Sequence, residues 1–97
     1  MKAIIAEFVI WDRFILSSRN AFGVLGELLS GELCFGNVTT AMNIYDEYGV
    51  SASIYSVEAA RVADKPGMIV LLIKYEDEAE LLWLGSLTRK QVLYIKN

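Results

Sequence analysis

The sequence predicts an α+β domain with a four- or five-stranded mixed or antiparallel sheet and helices on one face. Residues 3–11 and 68–75 are rich in β-branched and aromatic side chains, which is typical of buried strands. Residues 50–57 alternate apolar and polar side chains, as a strand with one wet face does. Residues 21–31 carry apolar side chains at helical spacing, and residues 78–87 follow a capping-box signal, so each segment is predicted to be a helix.

Length and composition set the class of protein. The chain has 97 residues, of which 55% are hydrophobic, and a formal net charge of −3. A chain of this length is typically one domain, here residues 1–97. The apolar fraction excludes an intrinsically disordered or collagen-like chain.

The first helix is the least regular of the predicted elements. Residues 12–20 leave open whether the first strand continues or a helix begins, because several good N-cap residues lie there. Residues 21–31 then place Phe22, Leu25, Leu28 and Leu29 at helical spacing. Gly23 and Gly26 weaken such a helix by about 1 kcal/mol each relative to alanine, so we expect them to permit close packing on a neighbouring element.

The middle of the chain predicts a short edge strand at residues 33–35 and a second helix. Asn37 or Thr39 would cap this helix, which would end at Gly49. Its apolar stripe would consist of Val38, Ala41, Tyr45 and Tyr48. The alternating strand at residues 50–57 would follow.

The last third of the chain has the clearest boundaries. Lys65-Pro66-Gly67 predicts a type II turn before the strand at residues 68–75. Asp77 and Glu80 have the spacing of a capping box and would open a helix. Residues 91–96 supply a last strand, which gives the order β-α-(β)-α-β-β-α-β.

Several chemistries are excluded by residue type. The chain has no histidine, so Ser–His and Cys–His catalysis are impossible. Cys34 is the only cysteine, so no intrachain disulfide or thiolate metal cluster can form, and we expect it to be a small buried apolar residue. We therefore expect no metal, no cofactor and no catalytic residues, in a protein of the reducing cytoplasm.

Charge and hydropathy also bear on partners. The nine Lys and Arg residues are scattered, whereas nucleic-acid binding needs clustered cations. The longest unbroken apolar run is six residues at 68–73, far below the roughly 20 that a membrane helix needs. Glu7 interrupts the apolar start of the chain, which argues against a secretion signal. We expect neither a nucleic-acid nor a membrane partner.

One polar segment is a candidate ligand site. Ser17, Ser18, Arg19 and Asn20 follow the first strand and would lie at the start of the predicted helix, with Gly23 in its first turn. Free backbone N–H groups there attract anions, and Arg19 would add a bidentate clamp for a carboxylate or phosphate.

The helix at residues 78–87 is too apolar for an ordinary surface helix. Leu82 and Trp83 lie on a different side from Leu81 and Leu84, so either both sides are buried within the fold or one side contacts another chain. We predict an interface that includes Leu82, Trp83 and Leu84, most simply in a two-fold homodimer.

A family resemblance bears on the topology. Asn20-Ala21-Phe22-Gly23-Val24-Leu25, and Tyr48-Gly49-Val50 before a strand, resemble the ACT family of regulatory domains. The resemblance implies a ferredoxin-like βαββαβ order and an amino-acid ligand near Asn20, Gly23 and Val24. Some 15 to 20 residues between the first helix and the second strand are extra relative to that pattern.

Three functions follow as hypotheses. The first is a non-catalytic, oligomerising or protein-binding domain of the adaptor or inhibitor type. The second is an ACT-like regulatory domain that binds a small anion such as an amino acid. The third is a small enzyme that works without a metal.

Overall fold

The structure, a computed structural model, describes residues 4–16, 21–38, 42–60 and 67–97. These residues form a closed antiparallel β-barrel of six strands with one helix. The α+β prediction, with its ferredoxin-like order and helices on one face of a sheet, is therefore wrong. So is the ACT-like topology that the resemblance implied.

The described residues form seven strands and one helix, in this order: β1 Ile4–Leu16, β2 Ala21–Gly31, β3 Gly36–Asn37, β4 Asn43–Tyr45, β5 Ser51–Ala59, β6 Ile69–Lys74, α1 Glu78–Ser86 and β7 Val92–Lys96. The barrel closes in the order β1-β2-β6-β5-β4-β7 and back to β1. The two-residue β3 pairs with β5 further along from β4.

Alternate side chains of the strands fill the barrel, and α1 covers it. The inward residues are almost entirely removed from water: Ala6, Phe8, Ile10, Phe22, Val24, Ile44, Ala52, Ile54, Val57, Ile69, Leu71, Ile73, Leu93 and Ile95. Leu84 and Leu87, on α1 and directly after it, pack into the same cluster. The helix is therefore held by the core of its own chain.

Residues 21–31 form a strand, so the first predicted helix is wrong. The pattern that suggests helical spacing also places Phe22 and Val24 on one side of a strand, and both are buried. The two glycines allow close approach between strands: a side chain at Gly23 would meet the Phe14 ring, and one at Gly26 would meet the Val9 carbonyl. Long-range pairing with β1 and β6 thus overrides the local spacing.

The second predicted helix, up to Gly49, is also wrong. Its described residues form β3 and β4 and then turn back into β5. In that turn Gly49 has a φ of 86°, a conformation that favours glycine. Residues 32–35 form no strand, and Cys34 is exposed, contrary to the expected burial.

The last third of the chain agrees with its predicted boundaries. Strands β6 and β7 lie where the sequence predicts them, and α1 begins after Asp77, whose side chain accepts from the Glu80 N–H at 2.8 Å. Gly67 has the positive φ that a type II turn requires, while Lys65 and Pro66 lie outside the described residues. No helix in the described part of the chain is long and apolar enough to cross a bilayer.

Candidate functional site

The predicted ligand segment consists of four residues outside the described part of the chain and one inside it. Ser17, Ser18, Arg19 and Asn20 lie outside the described residues. Gly23, the fifth residue of that site, is buried in β2 beneath the Phe14 ring. It therefore does not lie in the first turn of a helix, and the helix-dipole argument for an anion does not apply to it.

The three predicted interface residues have different surroundings. Leu82 is 75% exposed, whereas Leu84 is completely buried in the core cluster. Trp83 is half-buried and donates its indole N–H to Asp46. Only Leu82 thus presents a largely free apolar side chain on α1.

A cleft lies between the end of β1 and the end of α1, and we call it the β1–α1 cleft. Its volume is about 450 Å³, and it is lined by Asp12, Arg13, Phe14, Ile15, Phe22 and Gly85. Phe22 belongs to the buried core, so the barrel interior forms the floor. The helix wall is open, because a side-chain carbon at Gly85 would meet nothing within 4 Å.

The cleft exists because β1 is longer than its partner β7. The β1–β7 register ends at Val9, and the β1–β2 register shifts between Ile10 and Asp12. Beyond that irregularity, the final residues of β1 pair with β2 alone among the described strands. Such a shift bends a strand and re-aims its side chains, here towards the end of the helix.

Large apolar side chains border the cleft and face water. Ile15 is 57% exposed and Phe14 is 38% exposed. Leu82 lies three residues before Gly85, and residues at this spacing are neighbours on a helix surface. The cleft is therefore an open space with exposed apolar side chains on its β1 wall and the exposed Leu82 one helical turn from its α1 wall.

Both signs of charge are present on the β1 wall. The Asp12 carboxylate accepts from the Arg13 backbone N–H at 2.8 Å, and both residues are exposed. The Asp12 side chain thereby satisfies a donor of a strand edge, a common device that limits indiscriminate edge pairing. The side-chain charge of Arg13 stays available to a partner.

The position of α1 is fixed by a hydrogen-bond cluster around Asp46. Its Oδ2 accepts from the Trp83 indole at 2.9 Å, and its Oδ1 accepts from the N–H groups of Tyr48 and Val50 at 2.8 and 3.0 Å. Burial raises the pKa of this carboxyl, but the hydrogen bonds outweigh it and leave the pKa below its ordinary value of 3.8. The carboxylate thus has a structural role.

The acidic start of α1 also has a structural explanation. Asp77 caps the helix, and burial raises the pKa of Glu80, which accepts from the Glu76 N–H. Across the described residues, no three acidic or cysteine side chains come together as a metal site.

Sequence reasoning identified Leu82 but missed Phe14, Ile15 and Gly85. The apolar run at residues 14–16, which continues the strand beyond its buried part, was the available signal. Comparisons with protein-family models, curated proteins and solved structures give no match for this chain. We therefore argue the function from the side chains themselves.

Proposed function

We propose that this chain is a non-catalytic interaction domain that forms a two-fold homodimer through the β1–α1 cleft. The observation that carries the proposal is the exposed Ile15 side chain on the wall of a cleft whose opposite side is left open at Gly85. The exposed Leu82 lies one helical turn before that glycine. Exposed apolar groups that border a cavity are characteristic of binding surfaces.

Shape supports a second copy as the occupant. In a two-fold interface the same patch faces itself, so a surface with both a projection and a hollow can be self-complementary. Ile15 projects beside the cleft, and Gly85 leaves the hollow. The Ile15 side chain of one copy would fill the space over Gly85 of the other, and the reverse contact would follow by symmetry.

Charge supports the same occupant. Asp12 and Arg13 are adjacent on the wall of the cleft and have opposite signs. In a two-fold arrangement each contact occurs twice, so the acid of one copy can face the base of the other in two equivalent ion pairs. A surface with one sign of charge would instead repel its own copy.

Sedimentation equilibrium on the full chain at micromolar concentrations tests the proposal. We expect a dimer for the unmodified chain and a monomer for Gly85→Leu, which fills the hollow from within one chain. Gly85→Leu also replaces a helical glycine, so it should stabilise each chain by up to about 1 kcal/mol. A variant that is monomeric and at least as stable as the unmodified chain has a blocked interface, whereas a variant that is monomeric because it unfolds would be less stable.

A matched pair of variants locates the surface. Leu82→Glu places a charge beside the cleft, and Leu29→Glu places the same charge on β2, where the leucine is 55% exposed. We expect the first to abolish dimerisation and the second to leave it unchanged. A monomeric unmodified chain, or equal effects of the two variants, would refute the proposal.

A further inference from the structure

The turn between α1 and β7 is held firmly against β1. Lys90 donates its N–H to the Ile10 carbonyl at 2.7 Å, and Ile10 donates to the Gln91 carbonyl at 2.9 Å. Within the turn, the Gln91 side chain accepts from the Thr88 N–H at 3.0 Å. Lys90 has a φ of 72°, a conformation that is costly for a residue with a side chain and is retained only where its surroundings enforce it.

The turn places Arg89 above an aromatic ring of β1. The guanidinium carbon of Arg89 lies 5.0 Å from the centre of the Trp11 ring. This cation–π contact favours positions of the guanidinium over the ring, by about 0.5–1 kcal/mol at an exposed site. A restricted guanidinium loses less conformational entropy when it binds an anion than a free one does.

A cavity of about 370 Å³ opens beside this pair. Trp11, Asp12, Arg13, Leu25, Met68 and Arg89 line it, and we call it the Trp11–Arg89 cleft. The lining contains two arginines and one aspartate, so it has a net positive charge. Leu25 and the buried Met68 add apolar surface beside the indole ring.

We propose that the Trp11–Arg89 cleft binds a small aromatic carboxylate. Its carboxylate would accept two N–H bonds from the Arg89 guanidinium, since guanidinium and carboxylate groups match in bidentate geometry. Its ring would pack against Leu25 and the edge of the Trp11 indole, because Arg89 already lies over the face of that indole. A cavity of this size, with a few convergent polar groups on apolar walls, has the usual features of a small-molecule site.

Benzoate is a suitable probe. Two half-probes accompany it: acetate, which has the carboxylate without the ring, and benzyl alcohol, which has the ring without the charge. Trp83→Phe leaves Trp11 as the only tryptophan, so the change in its fluorescence reports binding in the cleft. We expect saturable binding of benzoate and at least tenfold weaker binding of each half-probe. Calorimetry on the unmodified chain checks that the reporter variant has not changed the site.

Two charge-removing variants complete the experiment. Arg89→Met should weaken benzoate binding at least about tenfold, because a hydrogen bond to a charged group has that effect or more. Lys96→Met is the control: its ammonium lies 4.7 Å above the Tyr45 ring, outside the cleft, and its loss should change nothing. Arg13 is left intact because it also lines the β1–α1 cleft.

Binding at the Trp11–Arg89 cleft does not depend on dimerisation, so a failure to bind benzoate would leave the proposed dimer unaffected. No saturable benzoate binding at millimolar concentration would overturn it, as would equal affinity of Arg89→Met and the unmodified chain. Acetate binding as tightly as benzoate would also overturn it, because the cleft would then be a simple anion site.

Discussion

The indole N–H of Trp83 donates to the Asp46 carboxylate at 2.9 Å and thereby joins α1 to the turn between β4 and β5. The two residues are 37 positions apart, and Asp46 is only 8% exposed. Together with the burial of Leu84 and Leu87 in the core, this bond sets the orientation of the helix over the barrel. That orientation brings Gly85 to the β1–α1 cleft, with Leu82 one helical turn before it.

Asp46→Asn should destabilise the fold. The amide keeps the shape of the side chain but offers one acceptor oxygen where the carboxylate uses two. The loss of hydrogen bonds to a charged acceptor should lower the free energy of unfolding by about 1.5–3 kcal/mol. Urea unfolding measures it. Glu58→Gln, at an exposed carboxylate outside both clefts, is the control and should change stability by less than about 0.5 kcal/mol.

The same carboxylate predicts a pH dependence. Its pKa is lower in the folded chain than the ordinary 3.8, so its stabilising effect is complete above 3.8 and is lost as the pH falls through the folded value. Glu80 acts in the opposite sense, since burial raises its pKa. Glu80 contributes equally to the unmodified chain and to Asp46→Asn, so its effect cancels in the difference between their free energies of unfolding. That difference should be constant from pH 5 to 7 and shrink below pH 3.8. A difference that stays constant down to pH 2 would contradict this role of the Asp46 carboxylate.

Gly26→Ala and Gly23→Ala distinguish the strand from the predicted helix. In an exposed helix both changes would stabilise the chain by about 1 kcal/mol. In β2 a methyl at Gly26 meets the Val9 backbone carbonyl, which cannot move freely, while one at Gly23 meets the partly exposed Phe14 ring. We expect Gly26→Ala to be clearly destabilising and Gly23→Ala to cost less. Thermal unfolding of the two variants distinguishes the strand from the helix, and stabilisation by both substitutions would support the helix.

The parts of the fold that the sequence predicted correctly are those determined by neighbouring residues. Asp77 caps α1 through the Glu80 N–H three residues away, so the nearby sequence is enough to predict where that helix begins. Residues 21–31 are different, because their apolar positions fit both the 3.6-residue period of a helix and the two-residue period of a strand. Their pairing with residues 6–16 and 69–74 decides the outcome, and single-sequence spacing contains no information on those partners.

Only part of the candidate site could be predicted from the sequence, for the same reason. Leu82 was recognisable as a surplus apolar residue on a short helix. Ile15 and Gly85 are 70 positions apart, and only the closed barrel brings them to one cleft. An exposed residue next to a glycine hollow has no signature along the chain.

Reversal of two charges tests the arrangement of the proposed dimer. If Asp12 of one copy faces Arg13 of the other, Asp12→Arg should place like charges in contact twice per dimer, and so should Arg13→Asp. Both residues are exposed, so each single variant should fold normally and dissociate more readily. The double variant Asp12→Arg/Arg13→Asp restores both ion pairs with reversed polarity and should recover dimerisation. Sedimentation equilibrium at low ionic strength, where such pairs are least screened, provides the measurement. A double variant that associates no better than either single variant would exclude this two-fold contact.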